Sequence, residues 1–194
     1  MPVSTTITHS GACLRDHFLL AMPSLEEGLF AHSVTYLCEH GESGAMGLVV
    51  NQPLDLNVAE IFEHLKIDAC RDFSDEPVMA GGPVQLDHGF VLHRGARQNW
   101  DASLKVTEDI TLTTSRDILV AIAAGSGPRD YLIALGYAGW SAGQLEEELS
   151  HNSWLTAPAN GDILFATPWH RRMSAAAGAL GIDMNLISAQ AGHA

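Results

Sequence analysis

The stretch EHGESGAMGLVVNQP, residues Glu39 to Pro53, decides how the chain is read. It opens as an acidic, glycine-rich turn, runs through the apolar block Met46 to Asn51, and stops at Pro53, which has no N–H for a continuing ladder. Ser33 to Cys38 just upstream is a second strand-like run, so the two predict a hairpin with a longer loop. Working outward, Phe18 to Met22 is a short apolar run closed by Pro23. On the other side, Asn57 caps a helix in which Val58, Ile61, Phe62 and Leu65 recur at i, i+3, i+4 and i+7, the spacing of one apolar face.

Beyond Pro77 the pattern returns to strands at Val78 to Ala80, Gly89 to His93, Leu104 to Val106 and Ile110 to Thr113. Between the first two, Gly81-Gly82-Pro83 reads as a tight turn needing positive φ. Thr114 or Ser115 caps a helix with Ile118, Leu119 and Ile122 on its inner face and Gly125 at its end. A buried strand follows at Tyr131 to Tyr137. Ser141 and Gln144 have capping-box spacing, so a helix opens at Ser141 and shows Glu146, Glu147 and Glu148 to solvent. Two short strands, Ser153 to Thr156 and Asp162 to Phe165, lead to a helix starting at Pro168. Strands in a row, then strands and helices without steady βαβ alternation, predict an α+β domain with a mixed or antiparallel sheet. The continuous apolar run Leu132 to Leu135 requires that part of this sheet be covered on both faces.

The chain has 194 residues, 46% of them hydrophobic, enough for one core and too few for two comfortable domains. Residues 1–13 read as a polar tail and 14–194 as the domain. With 10 Lys plus Arg against 23 Asp plus Glu, the net charge of −13 repels phosphate backbones and anionic lipid, and direct DNA binding is disfavoured. The most basic run, His170-Arg171-Arg172, is too short for a recognition helix. No apolar stretch approaches the roughly 18–20 residues of a bilayer span, and Met1 to Cys13 has neither a basic n-region nor an apolar h-region. No membrane association and a cytoplasmic location are expected. Cys13, Cys38 and Cys70 are an odd, widely spaced set, expected to be reduced and mostly buried thiols.

Glu39, His40 and Glu42 are the densest mixture of a base and carboxylates. On an unbroken strand Cys38 and His40 face one way and Glu39 the other, so a turn with solvated charges is expected in place of a metal site. His88 and His93, five apart on a strand, face opposite ways. Thr113 to Asp117 places hydroxyls and Arg116 at a helix start, where a carboxylate or phosphate would be held, though a plain cap with a surface ion pair explains the same residues. His93 and Asp117 are the available base and orienter for Ser115, but no GxSxG elbow surrounds it. Gln144, Glu146 and Asn152 sit among Tyr137, Trp140 and Trp154, a mixture suited to a small-molecule pocket or a protein interface, with the two tryptophans assigned to the core. The ligand-binding candidates are therefore Glu39, His40, Asn51, Ser115, Arg116, Asp117, Gln144, Glu146 and Asn152. No catalytic residue, metal or cofactor is assigned.

The blocks EHGESGAMGLVVNQPL, GGPVQLDHGFVLH, LTTSRDIL, LGYAGWSAGQLEEEL and NSWL resemble the AlgH/YqgE family of bacterial proteins, in the family's order and across nearly the whole chain. The resemblance implies a single α+β domain with a large bent mixed β-sheet flanked by helices, and no established activity. It also brings a transcriptional-regulator label, which descends from one member tied to alginate synthesis. Gly41, His88, Ser141 and Met173 depart from the family pattern, the first two altering the polarity of loops that would frame a shared site. The expected function is a non-enzymatic cytoplasmic binding or regulatory module acting through a protein partner or small ligand. The alternative is a hydrolase-like enzyme with an anion pocket at Ser115 and Arg116, using Glu39, His40 or Glu146 as acid or base.

Overall fold

In the computed structural model the described residues are 13–25, 28–95 and 100–190, so the expected tail, apart from Cys13, and the last four residues lie outside them. β1 (His17–Ala21), β2 (Val34–Gly41) and β3 (Gly44–Val49) form an antiparallel meander, and β10 (Trp154–Pro158) closes on the outer edge of β1. The long strand β9 (Tyr131–Ser141) joins β3 to β6 (Val84–Arg94), which continues to β8 (Ile110–Thr113) and β7 (Ser103–Lys105). β4 (Pro53–Asn57) pairs with β5 (Pro77–Ala80), and β5 runs parallel to β9, among the described residues the one parallel pair in a ten-stranded mixed sheet.

Among the described residues six α-helices flank it: α1 (Val58–His64), α2 (Arg116–Ala123), α3 (Gln144–Ser150), α4 (Gly161–Phe165), α5 (Arg172–Gly178) and α6 (Met184–Gln190). The run Leu132 to Leu135 shows why both faces are covered. Leu132 and Ala134 pack with α4 and α5 on one side, whereas Ile133 and Leu135 meet α1 and α2 on the other. A third core lies under α3, around Trp140, Trp154 and Leu145. The expected α+β domain with a bent mixed sheet between helices is the observed architecture.

The bend is made where the chain crosses itself. β5 and β6 lie on opposite edges of β9, yet only Gly81, Gly82 and Pro83 connect them, so this connection passes over β9 at Gly136 and Tyr137. A Cβ on Gly81 would stand 2.3 Å from the Gly136 oxygen, and one on Gly82 2.0 Å from the Tyr137 carbonyl carbon. Gly82 has the positive φ read from sequence, 158°, but the segment is a crossing and not a tight turn, and Gly81 and Gly82 are needed above all for close approach. Gly136, at φ 72°, inserts one residue into the alternation of β9: Ala134 and Tyr137 both face the α4/α5 side.

Several local expectations are corrected. The β2–β3 hairpin is tighter than read, because Gly41 pairs with Gly44 and only Glu42 and Ser43 turn. Cys38 is an extra residue between the pairs Leu37–Gly47 and Glu39–Met46, and this bulge flips the alternation, so His40 shares a face with Leu37 and not with Cys38. Pro53 begins β4 and does not end a strand region. α3 starts two residues late, capped by Gly143 at φ 77°, because Ser141 is still paired in β9. Asp162 to Phe165 is helical, with Asn160 accepting from the Asp162 N–H at 2.8 Å. Of the thiols only Cys38 is buried, since Cys13 and Cys70 lie in exposed segments. The helix from Asn57 forms as read, with a reciprocal capping box between Asn57 and Glu60.

Gly136→Ala forces a Cβ to 2.4 Å from the Gly82 oxygen at a left-handed backbone position. Urea unfolding should show a loss of at least about 3 kcal/mol. Gly143→Ala, at a similar φ but with open space around it, should lose only about 1 kcal/mol.

Candidate functional site

The nine candidates do not converge. His40 and Glu146 come together at the β2–β3 end, beside a polar cavity of about 460 Å3 lined by Glu39, His40, Cys13, Arg15 and Trp140. The Leu14 N–H donates to His40 Nδ1 at 3.0 Å, which leaves the imidazole proton on Nε2, where it meets Glu146 Oε1 at 2.9 Å. The β2 bulge puts Glu39 on the other face. Asn51 is structural: Oδ1 accepts from the Val34 N–H at 2.7 Å and Nδ2 donates to the His32 carbonyl at 2.9 Å. Asn152 is a positive-φ turn residue after α3, its N–H donating to the Leu149 carbonyl.

Gln144 leads to a residue the sequence reading put in solvent. Its Oε1 accepts from the Ser141 N–H at 3.0 Å, and its Nε2 donates to Glu148 Oε1, also at 3.0 Å. Glu148 Oε2 accepts from both Trp140 Nε1 at 2.9 Å and Trp154 Nε1 at 2.8 Å. Glu148 is therefore turned inward, and the available signal was its i, i+4 spacing from Gln144 beside two buried indoles that need acceptors.

At the start of α2 the hydroxyl of Ser115 is already used. It donates to Asp117 Oδ1 at 2.5 Å and accepts from the Ala102 N–H at 3.0 Å. Burial works against ionisation of Asp117, but Ser115 and the Asp101 and Ile118 N–H groups outweigh it and hold the carboxyl below its ordinary range. The other expected triad member, His93, is buried on β6 with Nε2 2.9 Å from the Thr113 hydroxyl. Arg116 is the exception: it extends from α2 to the end of α1, donates once to the Leu65 carbonyl at 3.0 Å, and meets no carboxylate among the described residues.

Arg116 stands at the mouth of a trough of about 600 Å3 between α1 and α2. Ile61, Leu65, Leu119, Ile133 and Leu135 supply apolar walls and floor, while Glu60, His64, Asp87, His88 and Ser115 stand with Arg116 at its polar margin. The irregular register of β6 between Val84 and Gly89 brings Asp87 and His88 there. The apolar faces of both helices were legible in the sequence as core. That Ile61, Leu65 and Leu119 would be left partly open was not, because it depends on how far apart the sheet holds two helices.

Glu148→Ala should destabilise the fold by about 2–3 kcal/mol, because two buried indole N–H groups lose their acceptor; chemical unfolding followed by tryptophan fluorescence measures it. His93 gives a pH dependence of definite sign. Burial lowers its pKa in the folded state, so below the unfolded value of about 6.5 the unfolded chain takes a proton that the folded chain resists. Stability should fall as pH drops from about 6.5, by up to about 1.4 kcal/mol per pH unit from this group, until the folded value is passed. Urea titrations between about pH 7 and pH 5 should show a shallower slope in His93→Gln than in wild type.

Comparison with known proteins places this arrangement. The DUF179 family model, described as AlgH-like, matches residues 18–185. The UPF0301 protein of Thioalkalivibrio sulfidiphilus is 55% identical over 92% of this chain and 96% of its own, and that of Saccharophagus degradans is 54% identical over 93% and 89%. The solution structure of the AlgH protein from Pseudomonas aeruginosa, 52% identical, superposes with a TM-score of 0.77 over 95% of this chain and 98% of that one. A crystal structure of a Corynebacterium diphtheriae protein shares the fold at 19% identity, with a TM-score of 0.72 over 90% and 91%. The resemblance carried by the five sequence blocks thus extends through the sheet and its helices, and the chain belongs to the AlgH-like family.

Proposed function

We propose that the protein is a non-enzymatic, cytoplasmic binding module whose ligand lies in the trough between α1 and α2. The ligand class that fits is a small amphiphile, with an apolar body on Ile61, Leu119 and Ile133 and a carboxylate at Arg116. The observation that carries this reading is the unmatched guanidinium of Arg116 at the mouth of an apolar cavity, in a chain where acids outnumber bases. A regulatory effect, including the transcriptional one attached to the family, would then be indirect. At a net charge of −13 the chain has little to offer a DNA backbone.

Leu86, 65% exposed on the part of β6 that runs along the trough, favours a second reading, in which the same surface takes an apolar segment of a protein partner. A hydrolase-like site at Ser115 and Arg116 has less behind it, since the Ser115 hydroxyl donates to Asp117 and no imidazole among the described residues is bonded to it.

Native mass spectrometry of gently purified protein, followed by calorimetric titration with dodecanoate, tests the ligand reading. Binding in the micromolar range is expected, weakened about tenfold in Arg116→Ala and abolished in Leu119→Glu with the circular dichroism unchanged. A clean apo mass with no dodecanoate heat overturns the small-ligand reading. Dodecanoate binding that persists unchanged in both variants removes the trough as its site.

A further inference from the structure

Some cations of the described residues are matched by carboxylates and others are not, and two of the unmatched ones line one cavity. Arg94 meets Asp109, Asp130 and Asp162 at 3.1, 3.1 and 3.4 Å, and Lys105 meets Glu108 at 2.7 Å, as expected where 23 acidic residues accompany 10 basic ones. Arg129 and Arg172 have no carboxylate partner among the described residues, and both line a third cavity, of about 400 Å3, between the start of β9 and the segment Phe165 to Trp169.

Arg172 is only 7% exposed. Its Nε donates to the Thr167 carbonyl at 3.1 Å and its Nη1 to the Val50 carbonyl, which fixes the plane of the guanidinium without neutralising it. Burial lowers its pKa to about 10, so the group is still a cation at neutral pH. A buried cation without a counter-charge is costly, and the cost is offset when an anion arrives. The cavity contains a third cation, Arg71, and a single carboxylate, Glu76, which is taken by Arg71 at 2.6 Å and by the Tyr131 hydroxyl. Its lining also includes Met79, Phe165 and Trp169, and the Trp169 indole is 38% exposed.

We propose that this cavity binds a phosphorylated planar ring of the nucleoside monophosphate class, with the phosphate between Arg129 and Arg172 and the base on the Trp169 indole. The Arg129 fork and the Arg172 Nη2, for which the described residues supply no acceptor, match a phosphate dianion in charge and in donor type. An exposed indole gives any purine or pyrimidine a stacking face without selecting among them. The volume is in the range of small-ligand sites, roughly 300–1,000 Å3. This site is separate from the α1/α2 trough and does not rest on the ligand assigned there.

The test is calorimetric titration of the full chain with adenosine 5′-monophosphate, with adenosine, phenyl phosphate and inorganic phosphate as separate arms. Saturable binding of the monophosphate is expected, with adenosine and inorganic phosphate each at least about tenfold weaker, and phenyl phosphate in between. Arg129→Gln and Trp169→Ala are both exposed changes that spare the buried Arg172. Each should weaken the monophosphate at least about tenfold while leaving the thermal midpoint near that of wild type. No saturable heat at millimolar monophosphate overturns the proposal, as does binding unchanged in Arg129→Gln. Inorganic phosphate binding as tightly as the monophosphate overturns the assignment of a ring to Trp169.

Discussion

The connection of β5 to β6 over the face of β9 is a main chain laid on a main chain, and the rest of the sheet is arranged around it. No side chain fits between Gly81-Gly82 and Gly136-Tyr137. Because the crossing holds β5 and β6 on opposite edges of one strand, β9 can accept β3 beyond β5 along the same edge, and the sheet must bend there. The Gly81 oxygen accepts from the Val49 N–H and the Gly81 N–H donates to the Leu135 carbonyl, both at 2.8 Å, so the crossing segment is itself stitched to β3 and β9. The one-residue shift at Gly136 then separates the core beneath α1 and α2 from the core beneath α3, although both lie on the same side of the sheet.

Elements set by short-range signals were legible in the sequence. The Asn57–Glu60 capping box, the exact extent of Ile110 to Thr113 and the two-faced burial of Leu132 to Leu135 follow from neighbours a few residues away. What could not be read depends on partners far along the chain. Cys38 becomes a bulge only because β3 pairs on both sides of it, and Asp162 to Phe165 becomes a helix because Asn160 caps it after β10 has ended. Gly81-Gly82 looks like a turn until the strand beneath it is known, some fifty residues later.

The candidate sites divide along the same line. His40 with Glu146, and Arg116 at a helix start, were found by residue type, and the structure gives each a defined partner or a defined lack of one. Residues that had seemed reactive, Ser115 and Asp117, satisfy one another. Glu148, Arg129 and Arg172 were passed over because their significance lies in what surrounds them: two indoles for the first, and for the others the lack, among the described residues, of a carboxylate bonded to them. In a strongly acidic chain an unaccompanied arginine is more informative than a cluster of carboxylates, and sequence gives no means of telling which arginines are unaccompanied.

The closing of β10 onto β1 gives the molecule a direction in time. Synthesis delivers β1, β2 and β3 before their partners: beyond the Val49–Gly81 bond, β3 gains its far-edge neighbour only when Ala138 to Ser141 have emerged, and β1 its outer one only when Trp154 to Pro158 have. While residues 50–137 are being made, two backbone edges are therefore largely open. Pairing between residues more than a hundred positions apart also makes ring closure slow relative to helix formation. Until β10 is made the nascent chain thus carries unpaired edges of the kind that invite edge-to-edge association.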